Sequence, residues 1–435
     1  MTTPHTLNRR QVLTMMGLGG GVAAATGYGL LSPRNNGDLS SFLPRPTGMF
    51  ASATVPVAEP IVATNNIGNR LLVVVELRGG NDGLATVIPE SGRLRDMRPN
   101  LLGFSATEPV PFADGTRLHP GLAPIRDRGL AIVQGVGTSN PDGSHFEMET
   151  RWWEGDGSGQ AGLRTGFLGR LCDELDIGAP ITGLSLGAGD TPFLIAEKAT
   201  TVGLPDPWAS WFLNEVGPWY ENLRRGLERL GADASGESAR FMAARSGIDN
   251  TLAFGQVLGS LDDDDEGDRG FPETELGYQL GLAAGLLDSN LGVRVLHVPF
   301  DGFDTHDDQA DDHNEMMNDL GACLAALQDD LASRGLADQT LIMTTSEFGR
   351  RPEENGSGTD HGTAGPGLLC GPVVAGLHGD APDLNALDDD GNLVATMMVE
   401  EYYATIAEGW FGIPAASVLA DGAPTNGFGA DLFST

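Results

Sequence analysis

The run Leu71–Leu77 (LLVVVEL) is apolar at every position but Glu76, and it breaks at once into Arg78-Gly79-Gly80-Asn81-Asp82-Gly83. A strand with one wet face alternates apolar and polar side chains. An unalternated run of strand length, ended by glycines, predicts a central strand covered on both faces. Similar runs recur at Leu130 to Val136, Val293 to Val298 and Thr340 to Thr345. Helical patterns lie between them, most clearly Asn314 to Leu331, where Met316, Leu320, Leu324, Leu327 and Leu331 form one stripe opposite a face of acids. Strands alternating with helices predict an α/β fold with a mostly parallel central sheet sandwiched by helices. With 435 residues and 40% apolar composition, residues 67–435 are expected to form a single α/β domain. The charge run Leu261 to Gly270 (LDDDDEGDRG) reads as a solvated acidic insertion.

The N-terminal segments read differently. Asn8-Arg9-Arg10-Gln11-Val12-Leu13 precedes a mild apolar stretch from Met15 to Leu31 that holds six glycines. Paired arginines ahead of such a stretch mark a twin-arginine export signal over residues 1–31, the alternative being an ordinary secretory signal with a chance Arg-Arg. The stretch is too weakly apolar to remain as a spanning helix, and no later segment suits a stable membrane span. Residues 32–66, rich in Pro, Ser, Asn and Ala, read as a linker or arm. The expected location is therefore periplasmic, cell-surface or extracellular. A net charge of −34 with one lysine, Lys198, excludes nucleic acid as a partner, since phosphates need a basic face, and disfavours anionic lipid. Cys172, Cys323 and Cys370 lack paired spacing and read as buried small hydrophobes. Asp388-Asp389-Asp390-Gly391-Asn392 looks like a calcium loop but lacks its closing glutamate, and reads as a turn.

In a parallel α/β sheet, ligands bind beyond the carboxyl ends of the strands. After the first run comes Asp82; after the second, Ser144-His145-Phe146; after the third, Asp304-Thr305-His306; after the fourth, Ser346-Glu347-Phe348-Gly349-Arg350 and then Gly358-Thr359-Asp360-His361-Gly362. Every run thus ends in an acid, an imidazole or both. Asp304 and His306, two apart, face the same side of an extended segment. Asp360 and His361 converge if a turn forms between the flanking glycines. Asp82, Asp304, Glu347 and Asp360 with His145, His306 and His361 suit one or two divalent ions, zinc or manganese ahead of magnesium or calcium. Each residue also has a structural reading. Asp82 fits a helix cap or tight turn. Ser144 and Glu147 fit a capping box. The whole set fits a buried acid–histidine network without metal. Among the other histidines, His119 reads as a loop hydrogen-bonder, His297 as a satisfied core residue, His313 as exposed, and His378 as lacking a convergent partner.

Together these stretches, with Val75 to Leu84 and Leu118-His119-Pro120, resemble the secreted proteins grouped as "domain of unknown function 1501", within the alkaline phosphatase and sulfatase superfamily. The match in combination and order spans roughly residues 70 to 365 and continues weakly through Tyr402 to Trp410. The resemblance implies an alkaline phosphatase-like three-layer architecture with its site at the strand ends. It assigns Asp82 to the first metal aspartate, Ser144 to the nucleophile, and Asp304 with His306, then Asp360 with His361, to later ligand pairs. Superfamily phosphatases carry Asp-His where this chain has Glu347-Phe348, which removes one imidazole. No Cys/Ser-x-Pro-x-Arg signature is present, which argues against a formylglycine mechanism. The expected function is an exported metal-dependent hydrolase of small phosphate or sulfate esters, with Ser144 and His145 catalytic and Arg78 or Arg350 holding non-bridging oxygens. For Arg350, a fold-stabilising ion pair is the alternative. The rival function is a non-catalytic secreted scaffold that keeps the fold and a structural metal, with a protein partner the sequence does not name. Convergence of Asp82, Asp304, His306, Asp360 and His361 on one or two adjacent coordination spheres discriminates the two.

Overall fold

Leu71–Leu77 forms strand β1, buried at every position. Its alternate side chains feed two different cores. Val73, Val75 and Leu77 join one apolar cluster, and Leu72 and Val74 join another. A strand covered on both faces is what the unbroken apolar run predicts. The computed structural model describes residues 68–101, 108–176, 178–205, 269–289 and 291–434, with a few isolated residues between 221 and 257. The export signal, the 32–66 arm and nearly all of the acidic insertion lie outside the described residues.

The remaining strands of the main sheet are β2 (Leu130–Gly137), β3 (Gly183–Leu186), β4 (Thr201–Leu204), β5 (Val295–Phe300), β6 (Thr340–Thr345), β7 (Gly365–Cys370), β8 (Gly376–His378) and β9 (Met397–Met398). Their order is β8-β2-β7-β6-β1-β5-β3-β4, with β9 also paired to β2. β1 lies parallel between β5 and β6, with Val73 opposite Leu296 and Ile342. Only β7 runs against its neighbours β2 and β6. The fold is thus α/β with a large, mostly parallel sheet. The expected third strand pairs two residues later than its apolar run.

Helices cover both faces. On one side α4 (Glu275–Leu287) and α5 (Gln309–Ser333) bury Leu280, Leu320, Leu324 and Leu331 against β1. On the other, α2 (His145–Glu154), α3 (Phe167–Leu175) and α6 (Val399–Ala404) bury Trp152, Phe167, Tyr402 and Tyr403. Each fully buried Leu or Phe contributes roughly 1.5–3 kcal/mol relative to exposure. The α5 helix starts five residues earlier than its apolar stripe predicts. Asp311 and Asp312 in its first turn suit the positive end of the helix dipole. A four-residue helix α1 (Gly83–Thr86) follows β1 directly. No helix among the described residues is long and apolar enough to cross a membrane. All three cysteines are free and buried, and Asp388 forms a turn, its Oδ1 accepting from Asp390 N and Asn392 N.

Candidate metal centre

The parallel strands β1, β2, β5 and β6 finish at one edge of the sheet, and their loops are packed into a single body there. Gly79 makes the closest approach. Its φ is 110°, and a Cβ on it would sit 2.3 Å from the Asp304 backbone nitrogen, so only glycine lets the β1 loop lie against the β5 loop. The Gly79 N–H donates to Glu347 Oε1 at 2.8 Å. Ser346 Oγ accepts from Asn81 N and donates to Leu77 O. Arg350, fully buried, spends its guanidinium on these loops. It donates to the carbonyls of Gly80, Thr359, Gly79 and Phe303, and to Asp304 Oδ1 at 2.7 Å. Arg350 thus makes an ion pair with a nearby acid, and its donors are engaged by the protein.

Within that frame His145, Asp304 and His361 each bring one ligand atom to within 4.8 Å of the others. His306 joins them, its Nε2 lying 2.9 Å from His361 Nε2 and 3.1 Å from Asp304 Oδ1. The second nitrogens of His145 and His361 are hydrogen-bonded elsewhere, and that of His306 points toward Asp360. His145 Nδ1 pairs with Glu347 Oε1 at 2.8 Å, His361 Nδ1 with the Gly143 carbonyl at 2.8 Å, and His306 Nδ1 lies 3.7 Å from Asp360 Oδ1. A carbonyl only accepts, so His361 Nδ1 carries a proton, and its Nε2 faces Asp304 Oδ1 at 3.0 Å. His145 Nε2 is buried, makes no hydrogen bond, and stands 3.5 Å from Asp304 Oδ2. Imidazoles held by a carboxylate or carbonyl at one nitrogen and facing a shared point with the other are the arrangement of histidine ligands. Phe348 is buried and packs on His145 and His361 with centroids 5.0 and 4.6 Å away.

The charges are set for cation binding. Burial raises the Asp304 pKa, but hydrogen bonds from His361 and Arg350 outweigh it and hold the carboxyl at about 2. His306 is pushed down, by burial and then by the Arg350 charge. The hydrogen bond to Glu347 raises the His145 pKa against the effect of burial. The donor set of imidazole nitrogens and one carboxylate fits zinc or manganese better than calcium, which prefers oxygens alone.

Other sequence candidates lie elsewhere. Asp82 is buried apart from this group. It caps α1 through Leu84 N and Ala85 N, pairs with Arg98 at 2.6 Å, and accepts from Gln309. Arg78 pairs with Glu76 at 2.7 Å. Glu347 acts on His145 rather than at the shared point. Asp360, held by Asn355, sits at the rim behind His306. With His361 it lies on a short strand, Thr359–His361, paired antiparallel with Arg350–Glu354, where a turn was expected. Ser144 stands at the N-cap of α2 without a side-chain cap bond, so the capping box does not form. Its own N–H goes instead to Asp142 Oδ1. His313 is buried, contrary to expectation, edge-on to His119. His119 Nδ1 accepts from Gly121 N, and His297 bonds Ser185 and Glu76 inside the sheet, as a loop and a core histidine should. Sequence reasoning missed Arg98 and the Gly143 carbonyl, for neither of which a local pattern exists.

Residues 275–404 match the family model described as "Protein of unknown function (DUF1501)", the family the motifs resemble. No curated protein matches the sequence. Among solved structures, Ps i-CgsB in complex with k-i-k-neocarrahexaose is 12% identical, with 84% of this chain and 75% of that one covered, at a TM-score of 0.37. The PsFucS1 sulfatase from Pseudoalteromonas sp. is 13% identical, with 82% and 70% covered, at 0.33. The alkaline phosphatase from the Antarctic bacterium TAB5 is 11% identical, with 71% and 94% covered, at 0.30.

Proposed function

We propose that this chain is an exported hydrolase of small phosphate or sulfate esters that holds a divalent cation through His145, Asp304, His306 and His361. The observation that carries the reading is the anchoring of two imidazoles, His145 by Glu347 and His361 by the Gly143 carbonyl, with a nitrogen of each and of His306 turned toward Asp304. A zinc or manganese ion bound there supplies Lewis acidity toward an ester oxygen and lowers the pKa of a nearby hydroxyl. Ser144 is the candidate nucleophile. It heads a ten-residue helix whose N-terminal dipole favours an anionic ester, and its hydroxyl is not committed to capping. Glu347 fixes the ring orientation of His145, and Arg350 fixes Asp304.

The engagement of Asp82 with Arg98 and of Arg350 with backbone carbonyls favours a second reading, a secreted scaffold with one structural metal. Elemental analysis of protein purified from its export route, with assays on generic phosphate and sulfate esters, separates the two. The hydrolase holds about one zinc or manganese and loses turnover in Ser144→Ala. The scaffold holds the metal and turns over nothing. Protein free of divalent metal sinks both.

A further inference from the structure

At the carboxyl end of β2 the chain meets the turn that follows α2 and the first turn of α6. Thr138, Gly157 and Glu400 come together there. Glu400 is 4% exposed and Thr138 5%. The Gly157 N–H donates to Glu400 Oε1 at 2.8 Å. Glu400 Oε2 and Thr138 Oγ1 are both buried without a hydrogen-bond partner among the described residues. The two side chains border one small space. A Cβ on Gly157 would stand 3.1 and 3.2 Å from the Glu400 oxygens and 3.3 Å from Thr138 Cα. Gly157 is not among the glycines of positive φ, so its backbone does not demand glycine, and the missing side chain is what keeps that space open.

A buried carboxylate persists when it is paired, bound to a metal or neutralised. Among the described residues no basic side chain bonds Glu400. Arg151, in the last turn of α2, donates to the Asn140 carbonyl and faces Glu147 at 4.0 Å. Burial pushes the Glu400 pKa up against its backbone hydrogen bonds, and the nearby charges of Asp156 and Glu401 push the same way as burial. Asp156 spends both its oxygens on Ser158 and Ala161. A proton on Glu400 would remove its charge, yet it would add a donor with no protein acceptor and leave the Thr138 hydroxyl unpartnered. We propose that Glu400 Oε2 and Thr138 Oγ1 hold a hard, oxygen-ligated cation, calcium, at the root of the segment that joins β2 to α2. Carboxylate and hydroxyl oxygens without nitrogen or sulfur suit such an ion, and calcium accepts an irregular shell completed by carbonyls and water. The segment carries the Gly143 carbonyl that holds His361 and ends at Ser144. An ion bracing Thr138 therefore stiffens the chain on which the histidine centre leans, whether or not that centre is catalytic.

The test is a calorimetric titration of calcium chloride into the full chain carrying Asp304→Asn, stripped of metal, so that the histidine centre does not contribute. About one equivalent should bind and raise the melting temperature. Adding Glu400→Gln should abolish the uptake, because it removes the charged ligand. Adding Thr138→Val should lower the affinity, because it removes a neutral one. The amide keeps the shape of the acid without its buried charge, so the Glu400→Gln chain should melt no lower than its parent when calcium is absent. No uptake by the Asp304→Asn chain, the result that a bound water in this space gives, overturns the site. Calcium uptake unchanged in either variant overturns it as well. Neither result touches the reading of the histidine centre, whose metal is measured in the unsubstituted chain.

Discussion

Asp82 and Asp304 look alike in the sequence, each an acid just past an apolar run, and their surroundings separate them. Asp304 faces imidazoles at the loop edge, whereas Asp82 is sealed in with Arg98. Asp304→Asn should abolish stoichiometric metal, read by elemental analysis, while the melting transition of the metal-free protein stays cooperative. Asp82→Asn should instead cost roughly 3–5 kcal/mol of unfolding free energy, because it strands a buried guanidinium. The folded fraction should keep its metal, and metal loss at unchanged stability would restore Asp82 as a ligand. Glu347→Ala removes the acceptor that holds His145, and cation affinity should fall about 10–100-fold by competition with a chelator. His119 and His313 set a pH dependence. Burial lowers them to about 3 and about 4. Above pH 6.5 both states are neutral there; below it the unfolded chain gains protons that the folded one refuses, so stability falls toward pH 4. Urea midpoints at pH 7 and 5 should converge in His313→Gln relative to wild type. The acids and imidazoles of the centre were legible because they lie in the segments that follow the apolar runs, where a parallel sheet binds its ligands. The partners that divide ligand from bystander were not, because Arg98 and Gly143 come from distant loops and carry no local pattern.

At the level of elements, the four apolar runs predicted β1, β2, β5 and β6, because burial on both faces leaves no alternation to obscure them. Short strands escaped. Thr359–His361 looks like a glycine-bounded turn, and only its pairing with Arg350–Glu354 makes it a strand. That pairing sets Arg350 opposite His361 and so places the guanidinium under the centre. Ser144 and Glu147 have the capping-box spacing, yet Asp142 claims the N–H that Glu147 would have bound. The close approach of the β1 and β5 loops gives a test of the frame itself. Gly79→Ala must accommodate a methyl 2.3 Å from the Asp304 nitrogen at a φ of 110°. It should destabilise the protein by more than about 1 kcal/mol and weaken metal binding although it removes no ligand. A variant of wild-type stability and metal content would contradict the packing described.

At the scale of the whole molecule, two features act together, a charge of −34 and a sheet whose order departs from chain order. Self-repulsion of that size opposes the compact state. Unfolding temperature should rise as the screening length shortens from about 10 Å near 0.1 M salt to about 3 Å at 1 M. A flat or falling response would mean that the acids are already neutralised by one another. Composition made the charge plain, but the position of the reversed strand β7 between β2 and β6 was not legible, since antiparallel pairing leaves no mark on a run of six residues. Its consequence concerns synthesis. β2 finds all its partners, β7, β8 and β9, in chain made after residue 364. A nascent chain on the ribosome therefore carries β2 as a strand without a sheet neighbour until most of its length has emerged, whereas β1, β3, β4, β5 and β6 find partners among themselves by residue 345.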